Sequence, residues 1–174
     1  MEKFWNLLHY FVYKMHYKAT YCFYKYTGAF KLYDIPFVRK RFKNKFNIDD
    51  PQGYLMQWWG DKSVGGSSIA AFIFFNLAFM PPALPLMLFY MHLYIKTFGE
   101  PDTPLPGFLV MLGWGAIISV LSYRYLMRKD KYLKYFRLFD MQSHKWKVKW
   151  GGISAGILII PLLITILTIK FANL

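Results

Sequence analysis

A run of 33 residues without Asp, Glu, Lys or Arg, from Ser63 to Ile95, constrains the fold of this chain more than any other feature. A membrane-spanning helix needs about 20 predominantly apolar residues, and helices in globular cores are usually shorter than that. The run also contains Pro81, Pro82 and Pro85, which remove backbone donors and clash with the preceding helical turn. The sequence therefore predicts a membrane segment that is not one straight helix.

The length of this run leaves two arrangements open. At the helical rise it would extend about 50 Å, against roughly 30 Å of hydrocarbon in a bilayer. The segment either crosses the membrane once, kinked and with projecting ends, or crosses twice as two short halves.

Two later segments, Leu105–Tyr123 and Gly151–Ile169, are also uncharged and long enough to span a bilayer. With the first run, they predict an all-α polytopic membrane protein. We expect three transmembrane helices, near residues 67–94, 105–123 and 151–169, with the first one kinked at its prolines. Residues 63–174 then form a membrane region, and residues 1–62 a basic, aromatic-rich region in the cytoplasm or at the membrane interface.

The distribution of Lys and Arg favours a single crossing by the first run. Segment 124–150 is strongly basic, and basic loops stay in the cytoplasm. Its basic residues are Arg124, Arg128, Lys129, Lys131, Lys134, Arg137, Lys145, Lys147 and Lys149. With three spans, only Lys96 and Lys170 of the 22 Lys and Arg residues lie outside, which leaves twenty inside. This predicts an inner or plasma membrane protein with a cytoplasmic N-terminus and an external C-terminus.

Residues 2–27 contain neither proline nor glycine, which favours a long helix. At 100° per residue, one sector of this helix holds four lysines, and the opposite side is apolar. The lysines are Lys3, Lys14, Lys18 and Lys25, and the apolar residues are Leu8, Val12, Met15, Ala19 and Phe23. The pattern predicts an amphipathic helix in the headgroup plane; packing against another subunit would use the same apolar face.

A formal charge of +13 predicts an anionic partner. Because most of the charge flanks apolar spans, we expect anionic phospholipid rather than nucleic acid. The residues expected to contact headgroups are Lys14, Lys18, Arg39, Lys40, Arg41, Arg128 and Lys129.

Small residues at the start of the last span predict close helix packing. Gly152 and Gly156 form a small-xxx-small face, and Asn76 is the best intramembrane polar candidate for a helix contact or for lining a pore. Three thin helices make a poor core by themselves, so we expect a homo-oligomer or a complex with other membrane proteins.

The sequence offers little for catalysis. His9 and His16 lie two turns apart, too far for direct chelation of one metal, and are interpreted as interfacial histidines; we expect no metal and no cofactor. The separation of Arg137 and His144 resembles the Arg/His spacing of HEPN ribonucleases, in those two residues alone. The predicted function is therefore a non-enzymatic membrane subunit or anchor with a basic cytoplasmic surface; the alternatives are a homo-oligomeric pore and, remotely, a HEPN-like nuclease.

Overall fold

The protein is helical, and no β-strand occurs in the residues that the computed structural model describes, 1–101 and 103–171. The α-helices of this part of the chain are α1 (Glu2–Thr27), α2 (Pro36–Phe46), α3 (Pro51–Gly60), α4 (Gly66–Ala78), α5 (Ala83–Phe98), α6 (Leu105–Ser122), α7 (Lys131–Asp140) and α8 (His144–Phe171). A 3₁₀ turn (Ala29–Asp34) precedes α2; a π-helical turn (Tyr123–Met127) and a 3₁₀ turn (Arg128–Asp130) connect α6 to α7.

Three helical stretches are long and apolar enough to cross a membrane. They are Gly66–Phe98, Leu105–Asp140 and His144–Lys170. The prediction of an all-α chain with three such stretches is confirmed.

Local sequence signals define several helix ends. α1 is followed by Gly28, which adopts a left-handed conformation with φ of 68°. α3 begins with Pro51 at its first turn, and the carboxylate of Asp50 accepts a hydrogen bond of 3.0 Å from the backbone N–H of Gly53. Both features are standard signals for the N-terminus of a helix. Proline lacks the N–H that would otherwise have no partner in the first turn, and the carboxylate of Asp50 accepts a hydrogen bond from an N–H that has none within the helix.

The first apolar run is interrupted between Ala78, where α4 ends, and Ala83, where α5 begins. Pro81 and Pro82 lie in this interval and remove two backbone donors. The indole Nε1 of Trp114, on α6, donates a hydrogen bond of 2.7 Å to the carbonyl oxygen of Phe79. This bond satisfies a carbonyl at the interruption, where an unpaired polar group would lower the stability of the fold.

The contacts divide the chain into two compact units, residues 1–11 with 74–174 and residues 12–73. Helices α1 and α4 contribute residues to both, so the units do not end at helix ends. The division predicted at residues 62 and 63 concerns which residues meet the membrane, and it stays a prediction.

In the first unit, α5 packs against α6. Gly107 makes this approach possible, because a Cβ at its position would lie 3.3 Å from Cγ of Met87 and 3.4 Å from Sδ of Met91. Further along α6, Ile118 and Ser122 are buried. Small residues at helix crossings are typical of membrane bundles.

In the second unit, the later turns of α1 pack with the 3₁₀ turn, α3 and the start of α4. The hydroxyl of Tyr13 donates to the carbonyl of Gly60 at 2.7 Å, and the amide of Gln52 donates to the carbonyl of Phe30 at 2.9 Å. The ring of Phe30 stacks on that of Tyr24 at 5.2 Å. Polar side chains and aromatic rings thus hold this unit together.

Replacing Trp114 by Phe should destabilise the protein by about 1 kcal/mol, because the phenyl ring fills most of the indole volume but cannot donate to the carbonyl of Phe79. The measurement is thermal unfolding of the purified protein in mild detergent. Trp58→Phe, at a tryptophan 39% exposed, is the matched control and should lower the melting temperature less. Equal melting temperatures for wild type and Trp114→Phe would show that this hydrogen bond does not stabilise the interruption.

Candidate functional site

The N-terminal turns of α1 lie in the interior of the first unit. Six consecutive side chains are buried: Asn6, Leu7, Leu8, His9, Tyr10 and Phe11. Burial on every side is typical of a helix surrounded by protein rather than of one at a surface. From the sequence, another subunit was one of the two partners expected for the apolar face of α1. In the structure, the first turns of α1 contact α7 and α8 of the same chain.

Helix α7 presents an aromatic face to these turns. Tyr132, Phe136 and Phe139 are spaced four and three residues apart, share one side of the helix, and are buried. The ring of Tyr10 makes edge contacts with Phe136 at 5.2 Å and with Phe139 at 5.4 Å. Such pairs contribute about 0.5–1.5 kcal/mol beyond the area that they bury.

Asn6 links α1 to the π-helical turn. Its Nδ2 donates to the carbonyl oxygen of Tyr125 at 2.9 Å and also to that of Glu2 at 2.9 Å. A π-helical turn departs from the regular α-helical hydrogen-bond ladder, and such turns are frequent at functional sites. The amide of Asn6 therefore binds backbone of an irregular turn, in a place where neither water nor lipid would replace it.

Two further polar contacts position α7 against α1. The hydroxyl of Tyr10 donates to Oδ1 of Asp140 at 2.8 Å, and Nζ of Lys131 lies 2.6 Å from Oε2 of Glu2. The Lys131 ammonium lowers the pKa of Glu2 below its usual range, so this carboxylate is ionised at neutral pH. Helix α7 is thus connected to α1 near both of its ends.

His9 is surrounded by aromatic rings. Its imidazole lies 5.4 Å from the ring of Phe136, 5.8 Å from that of Tyr132 and 5.8 Å from that of Phe75, and it is fully buried. The interpretation of His9 as an interfacial histidine was wrong, because aromatic side chains of its own chain cover it. Neither ring nitrogen hydrogen-bonds to another atom of residues 1–101 and 103–171. Burial lowers the pKa of His9 to about 4, and the side chain is neutral at physiological pH.

The burial of His9 predicts a loss of stability in acid. The unfolded chain takes up a proton near pH 6.5, whereas folded His9 does so only near pH 4. The stability of the folded state therefore falls as pH drops from 6.5 to 4, by about 3 kcal/mol in all, and His9 has no such effect above pH 6.5. In His9→Leu this part of the pH dependence should disappear. Melting temperature against pH in detergent measures it.

The control for this prediction is His144→Gln, at an exposed histidine, because it removes one imidazole without changing the interior. Its pH profile should match that of the wild type. All three proteins have the same carboxylates, so only the difference between the pH profiles reports on His9. Parallel profiles for His9→Leu and wild type would contradict the predicted role of burial.

The residues predicted to contact lipid headgroups lie on three parts of the chain, namely α1, α2 and the 3₁₀ turn Arg128–Asp130. Lys18, Arg39, Lys40, Arg41, Arg128 and Lys129 are exposed, and Lys14 is half-buried. Arg39 lies 3.7 Å from the carboxylate of Asp34, an exposed pair of little energetic weight. Lys129 and the following Asp130 both have positive φ angles, of 60° and 50°, which gives a sharp turn before α7. Exposed cations are available for headgroups, and the contact with lipid stays a prediction.

The predicted packing residues have different environments. At Gly152 and Gly156 a Cβ atom would meet no atom within 4 Å, so these glycines face open space. Asn76 instead has an internal partner, because its Oδ1 accepts a hydrogen bond of 2.8 Å from the hydroxyl of Ser122, on α6. Asn76 thus makes a helix contact inside the chain.

Helix α8 has an inner and an outer face. Ser154 and Thr165 are buried and lie about 20° apart around the helix axis. Gly152 and Gly156 lie about 160° from Ser154, on the opposite side. Gly151 belongs to the inner side: a Cβ there would lie 3.2 Å from Cε1 of Phe11. Of two neighbouring glycines, Gly151 therefore lies on the inner side, about 60° from Ser154, and Gly152 on the outer side.

Arg137 and His144, the pair with HEPN-like spacing, are both exposed, on α7 and at the first residue of α8. No hydrogen bond joins their side chains. Phe136 and Phe139, which flank Arg137 in sequence, are instead buried against α1. In this part of the chain the apolar residues have a clear structural role, and a role for the Arg/His pair stays a prediction.

A cavity in the second unit was not predicted. It has a volume of about 380 Å³ and is lined by His16, Ala19, Thr20, Phe23, Tyr24 and Trp59. Nδ1 of His16 lies 3.3 Å from the hydroxyl of Ser67, which is fully buried, and desolvation lowers the pKa of His16. The residues of α1 that line this cavity share one helix face, but only the fold shows that Trp59 lines it with them.

Comparisons with known proteins found no match: no protein-family model, no curated protein and no solved structure is significantly similar to this chain.

Proposed function

We propose that this protein is a non-enzymatic integral membrane subunit or anchor, which assembles through its spans and presents a basic surface to the cytoplasm. The observation that carries the proposal is the exposure of the spans. Large apolar side chains are exposed along each of the three stretches, among them Phe74, Phe89, Leu109, Ile117 and Leu163. In a soluble protein such surfaces would aggregate, so lipid or other membrane helices cover them.

The first stretch crosses the membrane once in this proposal. α4 has 13 residues and α5 has 16, which correspond to about 20 Å and 24 Å of helix. Neither helix alone reaches across roughly 30 Å of hydrocarbon. Together they form one span, kinked at Pro81 and Pro82, with the N-terminal region and segment 124–150 on the cytoplasmic side.

The outer face of α8 is the proposed assembly surface. Gly152 and Gly156 lie on it with nothing opposite them, while Ser154 and Thr165 face the same chain. Helices in lipid associate by close packing of small residues, because burying apolar area gains little there. A second copy of this chain or a partner helix would fit this surface.

A homo-oligomeric pore has less support. The pore hypothesis places Asn76 along a polar path, whereas its side chain accepts a hydrogen bond from Ser122 within the chain. Ion conductance by the purified assembly in liposomes, at a rate proportional to its concentration, would support the pore hypothesis instead.

Replacing both Gly152 and Gly156 by Ile should weaken assembly and leave the fold intact, because each new side chain projects into open space. Cross-linking and apparent size in mild detergent, before and after substitution, measure the assembly. Gly151→Ile is the matched control: it is one residue away but on the inner face, against Phe11, and should lower the melting temperature. Unchanged assembly in the double variant would place this face against lipid.

The proposed topology predicts which thiols an impermeant reagent can reach. Cys22, the single cysteine, lies in α1 and should not react with a membrane-impermeant maleimide in intact cells. A cysteine at Thr103, in a Cys22→Ser background, should react because it follows the first span on the outside. Because Cys22 is half-buried, its labelling after permeabilisation is the necessary control. Labelling of Cys22 in intact cells would reverse the topology.

A further inference from the structure

A cleft of about 330 Å³ lies between the first turns of α1 and the beginning of α8. Its lining residues are Met1, Lys3, Phe4, Leu7, Trp146 and Trp150. Lys3 and Leu7 are four residues apart on α1, as Trp146 and Trp150 are on α8, so each helix offers one continuous strip to the cleft. The walls are apolar and aromatic, and a lysine is the charged side chain among them.

The tryptophan side of the cleft packs against other aromatic rings. The ring of Trp146 stacks on Phe139 at 5.5 Å and on Phe11 at 6.4 Å, and it lies 6.2 Å from the ring of Trp150. Phe11 and Phe139 are themselves buried. The cleft is therefore backed by the same packed interior that holds α1.

The charge at the cleft is positive and not neutralised. Lys3 has no carboxylate partner in the described part of the chain, and the acidic residue next to it, Glu2, is paired with Lys131. On α8, Lys149 is exposed and lies about 60° around the axis from Trp146, on the same side. An anion bound at Lys3 would meet no competing carboxylate.

The position of the cleft along α8 matches the membrane boundary. Trp150 is the last residue before the uncharged segment Gly151–Ile169, and tryptophans at the ends of spans lie at headgroup level. A ligand there has its polar end among headgroups and its apolar end toward the hydrocarbon. Free anions such as inorganic phosphate would leave the aromatic walls unused.

We propose that this cleft binds one anionic phospholipid, with its phosphate at Lys3 and an acyl chain along Phe4, Leu7 and Trp150. This inference rests on the proposed membrane location, and it adds a defined site to a generally basic surface. The chemistry of the cleft matches both ends of such a lipid: an unpaired ammonium for the phosphate and apolar side chains for the chain.

The test measures quenching of tryptophan fluorescence by lipids with brominated acyl chains, using the full-length protein in vesicles. Brominated phosphatidylglycerol and brominated phosphatidylcholine are compared at equal mole fraction. The wild type should prefer phosphatidylglycerol, and Lys3→Gln should lower that preference about fivefold, as expected for one lysine at an anionic surface. Lys31→Gln, which removes an exposed lysine from the 3₁₀ turn Ala29–Asp34, should have little effect.

Further experiments identify the bound molecule and its position in the cleft. In a Trp150→Phe background, the part of the quenching that depends on Lys3 should disappear, since Trp150 is the proposed reporter. Millimolar inorganic phosphate should not displace the lipid; displacement would identify a free-anion site and overturn the proposal. Equal effects of Lys3→Gln and Lys31→Gln would overturn it too, because they would show that only the general surface charge attracts the lipid. Insertion and cross-linking of Lys3→Gln test the proposed function separately, and should be normal whichever result the lipids give.

Discussion

The burial of the first turns of α1 is the constraint on which much of the first unit depends. This buried stretch includes two polar side chains, Asn6 and His9. Nδ2 of Asn6 donates to the carbonyls of Glu2 and Tyr125, whereas the imidazole of His9 has aromatic neighbours and no hydrogen-bond partner in the described part of the chain. Removal of that amide would leave the Tyr125 carbonyl unpaired, at a cost of about 1–3 kcal/mol. The irregular turn, the aromatic face of α7 and the tryptophans of α8 are all arranged around this helix.

Whether an apolar stretch forms a continuous helix depends on how many prolines lie together in it. Pro81, Pro82 and Pro85 remove three donors within five residues, and the helix is interrupted there, with Trp114 satisfying one freed carbonyl. Pro161 stands alone, and α8 continues through it from His144 to Phe171. Membrane helices tolerate a single proline because neighbouring side chains and small adjustments compensate for one lost bond. Near Pro161, the hydroxyl of Thr165 donates to the proline carbonyl at 3.0 Å.

The sequence predicted the positions of the helices better than it predicted which parts of the chain each helix contacts. The second span was predicted to begin at Leu105, where α6 begins, because an absence of charge over 19 residues is a property of the segment itself. Segment 124–150 was treated as a basic loop since lysines and arginines dominate it, although Tyr132, Phe136 and Phe139 already had helical spacing. The burial of His9 was not predicted, because a helical pattern shows only which residues share a face. Which element covers that face depends on residues far away in the sequence. His9, for example, contacts Tyr132 and Phe136, more than 120 residues further along the chain.

The glycines of α8 bear on whether its outer face meets lipid or protein. Glycine inside a helix costs about 1 kcal/mol relative to alanine, and a lipid-facing position gains nothing from a missing side chain. Other exposed positions of α8, such as Ile153, Ile159 and Leu163, carry the large side chains that lipid contact favours. Gly151, on the inner face, is explained by the close approach of Phe11. Gly152 and Gly156 have no such neighbour in the chain, and a closely packed second helix would offset their cost by letting two backbones approach.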